Sequence, residues 1–348
     1  MSNPIWDLLV EHDIVQGDEP EKEIAGSPWY VKALLAFSGW LAAIFLLGFI
    51  GIAFQAVFEN SLVASILGII LLVPAFLLLR MPNNEFVEHL GLATSMVGQV
   101  LIIFAIFDIS NDQKIVAWLL VTLMEISLVV LMPNFVHSVI SVLVAAVALS
   151  MTFAEMHLPF LIGAILLLGF SFCWLNEFRF PQWIKKIRAI GYGLVIALIA
   201  LKGGDGSFGS LISKKDAIVA QAWIGDLMIG AVTLYVVWSL LQHYGQPLKG
   251  RLSIAALSAT LLICALSMNV QGVTVGMVII CCGFFCANRV LLGLGVVSLL
   301  FYISSYYYLL ESTLLEKSLS LLGVGLVLLL VRWFIPKMLP VESEVIHA

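Results

Sequence analysis

Residues 115–132 read IVAWLLVTLMEISLVVLM, an apolar run whose one charged residue is Glu125, near its middle. A helix that crosses a hydrocarbon core of about 30 Å needs roughly 20 mostly apolar residues, and within lipid only helices or closed barrels satisfy every backbone polar group. A continuous apolar run, unlike strict alternation of polar and apolar residues, favours a helix. The segment therefore predicts a membrane-spanning helix that carries a carboxyl group.

The rest of the 348-residue chain repeats this pattern. Hydrophobic residues make up 61% of the chain and charged residues 11%, and the mean hydropathy is +1.08. Such a chain would aggregate in water, so its solvent must be the bilayer. We predict an all-α, polytopic transmembrane helix bundle of about 12 spans. The predicted spans are residues 31–58, 62–79, 90–107, 115–132, 135–153, 158–175, 187–201, 217–241, 252–268, 270–287, 290–308 and 319–334.

The distribution of Lys and Arg predicts the orientation of the bundle. Twelve of these residues fall on the side of the N-terminus and five on the opposite side. Because cationic loops resist translocation, we expect both termini to be cytoplasmic. The domain prediction is an acidic cytoplasmic tail over residues 1–30, a transmembrane helical domain over 31–335 and a short cytoplasmic tail over 336–348. The first apolar run lacks a basic n-region and is expected to be an uncleaved anchor.

The sequence motifs do not point to an enzymatic reaction. GDGSFG at 204–209 matches GxGxxG, but it joins two predicted spans and lacks the βαβ context of a dinucleotide site. Cys282 and Cys286 share a helix face without zinc-ligand spacing, and histidines such as His137 lie near span ends, where interfacial packing is expected. The net charge of −5 leaves no basic patch for nucleic acid. We expect no catalytic residue, no cofactor, no metal and no nucleic-acid partner.

Polar residues inside the predicted spans give the main functional signal, because a charged group there costs roughly 2.5 to 3.5 kcal/mol on insertion scales. Glu125 has no cation within its span, and desolvation favours its protonated form. Gln99 lies near the middle of its span, and Asp226 lies toward the exterior side of another. Together the three form a candidate polar core if the fold brings them together. Proton transport and structural hydrogen bonding between helices both remain open for Glu125.

The most polar and aromatic segment is FYISSYYYLLESTLLEKSLSLLGVG, residues 301–325. Helical spacing aligns a hydroxyl, a phenol and a carboxylate of this segment at the predicted exterior edge of the membrane. An aromatic belt at the interface and a recognition rim for an exterior ligand or partner are both consistent with this pattern. The candidate exterior rim consists of Ser304, Tyr308, Glu311, Glu316 and Lys317.

Two segments resemble the ends of an uncharacterised bacterial inner-membrane family that carries a domain-of-unknown-function label. They are SPWYVKALLAFSGWLAAIFLLGFIG at 27–51 and NRVLLGLGVVSLLFYISSYYYLLESTLLEKSLSLLGVGLVLLLVR at 288–332. The resemblance implies a polytopic protein of the inner membrane, commonly encoded beside a smaller membrane-anchored protein with a GDYxxLxY motif. It implies no catalytic residue.

Three hypotheses follow for the function. The first is a non-enzymatic component of a membrane complex, which contacts the lipid bilayer and an exterior-facing, membrane-anchored companion protein at the candidate exterior rim. The second is a secondary transporter, which could be proton-coupled, with Glu125 as the carrier group. A membrane-embedded transferase is a more distant alternative, since it would need polar residues from several loops to gather on one side.

Overall fold

The computed structural model describes residues 60–80, 85–202, 222–247, 249–267 and 272–309, together with scattered positions within 10–52 and 315–333. These described residues form α-helices joined by turns and short 3-10 helices, and none of them lies in a strand. The all-α prediction is therefore confirmed.

Ten helices lie in the continuously described ranges, and each coincides with one of the predicted spans. They are α1 (Ser61–Arg80), α2 (Glu85–Ile109), α3 (Lys114–Leu131), α4 (Phe135–Glu155), α5 (Ile162–Leu175), α6 (Ile184–Lys202), α7 (Ala222–His243), α8 (Arg251–Ser267), α9 (Val273–Phe285) and α10 (Arg289–Leu309). The 3-10 helices are Pro159–Leu161, Glu177–Arg179 and Pro181–Trp183. The first and last predicted spans and both tails lie largely outside the described residues, so the total of about 12 spans remains a prediction.

Within the described residues, five helices are long and apolar enough to cross a membrane. They are Ser61–Arg80, Val87–Ile109, Lys114–Leu131, Phe135–Glu155 and Trp223–His243. Large apolar side chains remain exposed along them; Ile66 of α1 and Leu123 of α3, for example, are 58% and 53% exposed. Water would disfavour so much apolar surface, whereas lipid tails accept it. The chain is a membrane protein.

Helices adjacent in sequence pack as hairpins. The closest pairs are α1 with α2, α3 with α4, and α9 with α10, while α6 packs against both α4 and α5. The last residue of α1, the first residue of α2 and the connections 131–135, 175–184 and 285–289 consequently lie at one end of the bundle. We call it the basic end because Arg80, Lys185, Lys186, Arg188 and Arg289 lie there. The largest apolar core lies between α5, α6, α7, α9 and α10.

Two glycines let α1 and α2 approach closely. A Cβ atom added at Gly68 would lie 2.9 Å from the carbonyl oxygen of Gly98, and one added at Gly98 would lie 2.9 Å from the carbonyl oxygen of Gly68. Any larger residue at either position would force the two backbones apart. Small residues serve the same purpose at many helix contacts in membranes, where packing rather than water exclusion drives association.

Candidate functional site

Glu125 lies on α3 with its side chain fully buried, at 0% exposure. Glu125 lies six positions before the last residue of α3, Leu131, so at about 1.5 Å per residue it lies about 9 Å from the basic end. Ser141 of α4 lies beside its carboxyl group. Neither carboxyl oxygen, however, has a hydrogen bond of good geometry to any described residue. The carboxyl therefore keeps free capacity to bind a proton.

His137 connects α4 to α2. Its side chain is buried, at 2% exposure. The Nε2 atom lies 2.7 Å from Ser95 Oγ and 2.9 Å from Gln99 Nε2, and the Nδ1 atom lies 3.5 Å from Ser141 Oγ. These contacts join two helices, α2 and α4, through one imidazole. We call Ser95, Gln99, Glu125, His137 and Ser141 the polar cluster.

The hydrogen bonds of the polar cluster define the tautomer of its histidine. An amide nitrogen only donates, so the Gln99 contact makes Nε2 of a neutral imidazole the acceptor and leaves the proton on Nδ1. The N–H of Nδ1 then faces the oxygen of Ser141, and the hydroxyl of Ser141 is free to donate to Glu125. The donors of Gln99 and His137 then point in one direction, from α2 toward Ser141 of α4.

The start of α4, NFVHSVIS at 134–141, positions the histidine. Asn134 is the N-cap, and its Oδ1 accepts a hydrogen bond of 2.9 Å from the backbone N–H of His137. Ser138 Oγ donates to the carbonyl of Asn134 at 2.9 Å. Residues 134, 137, 138 and 141 follow three- and four-residue spacing and therefore share one helix face. That face meets α2, α3 and α6.

Lys186 of α6 binds the end of α3. Its Nζ donates to the carbonyl oxygen of Val129 at 2.5 Å, to that of Met132, and to Ser138 Oγ at 3.2 Å. The last carbonyl groups of a helix form the negative end of its dipole, so an ammonium group stabilises them. Lys186 thereby fixes the turn between α3 and α4, on which the polar cluster depends, and places a positive charge beside it.

A hydrogen bond links this region to the surface of the basic end. Asn134 Nδ2 donates to Glu88 Oε1 at 2.5 Å. Glu88 is exposed, whereas Asn134 is only 9% exposed. The polar groups therefore extend from the buried Glu125 to the rim of the bundle without leaving α2, α3 and α4.

Two of the three predicted polar-core residues belong to the same cluster. Gln99 is 4% exposed and bonded to His137, whose Nδ1 lies 3.5 Å from the hydroxyl of Ser141, the residue beside Glu125. Asp226 instead lies half-buried near the start of α7, a helix that packs mainly against α5, α8 and α9. The structure thus brings Gln99 and Glu125 together and places Asp226 in a different group of helices.

The interfacial role expected for His137 is wrong, because its ring is buried and hydrogen-bonded on both sides. The sequence carried a signal that would have found it. Asn134, His137, Ser138 and Ser141 repeat at helical spacing immediately after Pro133, so they predict a polar face at the start of a helix. A polar face on an otherwise apolar span requires partners from neighbouring helices.

The candidate exterior rim lies mostly outside the described residues. Ser304 is exposed on α10, and the backbone of Tyr308 belongs to the last turn of that helix. Glu311, Glu316 and Lys317 are not among the described residues, and neither is the glycine-rich segment 204–209. The rim remains a prediction.

A second polar group at the basic end joins two connections that are distant in sequence. Glu177, whose side chain is 1% exposed, forms an ion pair with Arg188 through Oε1 and Nε. Asn288 Nδ2 lies 2.8 Å from the Tyr192 hydroxyl. These contacts tie the α5–α6 connection and α6 to the α9–α10 turn. Sequence reasoning did not find them, since the paired residues belong to different predicted spans or loops.

The described residues offer little support for an enzyme or a metal centre. Ser95 and His137 have the spacing of a nucleophile and its base, but Ser95 is 0% exposed, which denies a substrate access to its hydroxyl. Among the described side chains, no three His, Cys, Asp or Glu residues group closely enough to hold a metal ion. Cys282 and Cys286 are free thiols.

Comparison with known proteins places the chain in a family. A family model with the description "Domain of unknown function (DUF4401)" matches residues 28–338. The chain therefore belongs to this family, and the predicted resemblance to an uncharacterised family is confirmed. No curated protein and no solved structure matches the chain.

Proposed function

We propose that this member of the DUF4401 family is a proton-coupled secondary transporter of the bacterial inner membrane, with Glu125 as the group that binds and releases the coupled proton. The observation that carries the proposal is a fully buried carboxyl without a hydrogen-bond partner among the described residues, beside Ser141, whose hydroxyl lies 3.5 Å from Nδ1 of a buried histidine. The proposed protein is non-enzymatic and multi-pass, with about 12 spans and both termini in the cytoplasm.

An ionisable group within a membrane bundle costs free energy, and proton transfer in transporters is one of the functions for which such groups occur there. A purely structural Glu125 would serve as a hydrogen-bonding group between α3 and α4. A structural role favours well-formed hydrogen bonds at the carboxyl group, whereas neither of its oxygens has such a bond to a described residue. Reversible protonation needs this spare capacity, so the geometry favours the transport hypothesis over the structural one.

Solid-supported membrane electrophysiology tests the proposal without knowledge of the second substrate. A rapid pH step applied to proteoliposomes should move charge as protons bind, and Glu125→Gln should abolish this transient current. Glu155→Gln is the matched control, because Glu155 is exposed at the far end of α4. No transient current from the unmodified protein, or an unchanged current from Glu125→Gln, would contradict the proposal.

A complex with a membrane-anchored companion remains a second proposal. Its support is the exposure of Ser304, the candidate rim residue whose side chain the structure describes. We propose that Tyr308 and Glu311 contact a companion carrying the GDYxxLxY motif. Tyr308→Ala and Glu311→Ala should each reduce recovery of that companion on co-purification in mild detergent. Full recovery with both variants, each still helical, would remove the proposed interface.

A further inference from the structure

We infer that the basic end carries a binding surface for an anionic phospholipid, formed where the α5–α6 connection meets the start of α10. Three arginines bind the phosphate of the headgroup, and three exposed aromatic side chains contact the glycerol backbone and the adjoining part of the acyl chains. The inference goes beyond the proposed transport and does not depend on Glu125. We call this set of residues the basic surface: Arg179, Arg188, Arg289, Phe178, Phe180 and Trp183.

Arg188 is held in place by a buried acid. Its Nε donates to Oε1 of Glu177, whose side chain is 1% exposed, whereas the side chain of Arg188 is 46% exposed. A guanidinium group has five N–H donors, so this bond leaves the four donors of the two terminal nitrogens available. Such a fork matches two oxygen atoms of one phosphate group. Arg188 can therefore bind an anion while it keeps its ion pair with Glu177.

A contact between α6 and the α9–α10 turn brings Arg289 close to Arg188. Asn288 Nδ2 lies 2.8 Å from the hydroxyl oxygen of Tyr192. Tyr192 follows Arg188 by four residues, so both lie on the same face of α6. Arg289 comes directly after Asn288 and begins α10. The fold thus places two arginines that are far apart in sequence at the same part of the basic end.

The positive charge of this region is not balanced by acidic residues. Glu177 is the one acidic residue of segment 176–188, and Arg188 neutralises it. The turn 285–289 adds Arg289 and no acidic residue. Arg179, Lys185 and Arg289 are exposed, and none of the three forms an ion pair with another described residue. Exposed cations without acidic partners attract the anionic headgroups of a membrane.

Exposed apolar side chains favour a phospholipid over a free phosphate ion as the ligand. The three aromatic residues of the basic surface are exposed, and aromatic rings are typical of the level at which headgroups meet acyl chains. Ile165, Leu168 and Phe172 are also exposed and follow three- and four-residue spacing, so they share one face of α5 that leads toward the α5–α6 connection. A free phosphate ion would contact the arginines alone, whereas a phospholipid also contacts the aromatic side chains.

Native mass spectrometry of the full chain in mild detergent tests the inference, with phosphatidylglycerol as the probe and phosphatidylcholine of the same acyl chains as its zwitterionic match. We expect one phosphatidylglycerol to remain bound at concentrations at which phosphatidylcholine is lost. The double variant Arg179→Gln and Arg289→Gln should weaken the binding of phosphatidylglycerol roughly 25-fold, about fivefold for each lost charge. Both side chains are exposed, so circular dichroism should show unchanged helical content.

A second double variant is the matched control, because it removes the same number of exposed cations elsewhere. Arg80→Gln changes the end of α1, and Lys114→Gln changes the opposite end of the bundle. Together they should leave the affinity for phosphatidylglycerol unchanged. Trp183→Ala keeps every charge and should weaken the binding of the lipid at least about threefold, since it removes apolar contact with the lipid.

Four results would overturn the inference. Two are equal retention of the two lipids and an unchanged affinity in the Arg179→Gln and Arg289→Gln variant. Inorganic phosphate that displaces phosphatidylglycerol at matching concentration would show a site for free anions rather than for lipid. Tight lipid binding that appears only after removal of residues 2–24 would show that the acidic N-terminal segment occupies the surface in the full chain.

Discussion

At the scale of single residues, the central feature is a carboxyl that is buried without being fully bonded. Glu125 has 0% exposure and no well-formed hydrogen bond to the described residues, whereas His137 beside it has hydrogen-bond partners at both nitrogens. Burial of a carboxyl group without hydrogen bonds lowers the stability of the fold, so a contribution to stability does not explain why Glu125 is there. The histidine is held by its hydrogen bonds, and the proposed function assigns a change of protonation state to the carboxyl.

The hydrogen bond between Ser95 and His137 should contribute measurably to stability. Ser95→Ala leaves one ring nitrogen with a single partner, so we expect a loss of about 0.6 to 1.7 kcal/mol in the free energy of unfolding, the range for polar contacts between membrane helices. Reversible unfolding in mixed detergent micelles measures this difference. Ser127→Ala, which removes only a bond within α3, should change stability by less. Equal losses for the two variants would show that the hydrogen bond between Ser95 and His137 contributes no more to stability than a hydrogen bond within α3.

The candidate site could be predicted in part from the sequence. Glu125 and Gln99 stand out because polar residues are rare within apolar spans, and both belong to the cluster. His137 was missed because its nearness to a span end resembles that of an interfacial residue. Which residues of α2 and α3 lie next to it depends on which face each helix turns toward the bundle interior. Apolar periodicity does not reveal that face, because lipid and the protein interior are equally apolar.

At the scale of helices, Lys186 links α6 to the end of α3. Lys186→Met keeps a side chain of similar length but removes the ammonium from the carbonyls of Val129 and Met132. We expect a loss of about 1 to 2 kcal/mol, as for a cation at a partly buried helix end, and a lower midpoint of thermal unfolding. Lys185→Met is the control, because Lys185 is exposed. The account of this contact fails if both variants lower the midpoint equally.

The close approach of α1 and α2 gives a second prediction for helices. Gly98→Ala places a Cβ atom 2.9 Å from the carbonyl oxygen of Gly68, so we expect a loss of about 1 to 3 kcal/mol from overpacking. A Cβ atom at Gly293 of α10 would meet no atom of the described residues within 4 Å, so Gly293→Ala should preserve or raise stability. Unfolding in detergent measures both. A Gly98→Ala variant as stable as the original would show that the helices separate at little cost.

The helices themselves were largely predictable, and their ends less so. The span predicted at 158–175 begins as the 3-10 helix Pro159–Leu161 before α5, and the span predicted at 187–201 extends to Ile184–Lys202. Apolar content marks the part of a helix that lies in lipid. It does not mark where the helix continues into polar surroundings, because that depends on caps and on contacts such as those of Lys186.

At the scale of the whole molecule, the predicted orientation places the basic end in the cytoplasm. Lys114 and Lys185 are both exposed, at opposite ends of the bundle. In a chain whose native cysteines have been replaced, Lys114→Cys should react with a membrane-impermeant maleimide in intact cells, whereas Lys185→Cys should react only after permeabilisation. The opposite pattern would invert the predicted orientation.

Membership of the family assigns no activity to the molecule, so the proposed transport depends on the polar cluster itself. The most direct measurement is an infrared titration of the protonated carboxyl group in membranes. We predict a carbonyl band that changes with pH, is lost in Glu125→Gln and persists in Asp226→Asn. A titrating band that survives in Glu125→Gln, or no titrating band at all, would contradict the assignment of Glu125 as the proton-binding group.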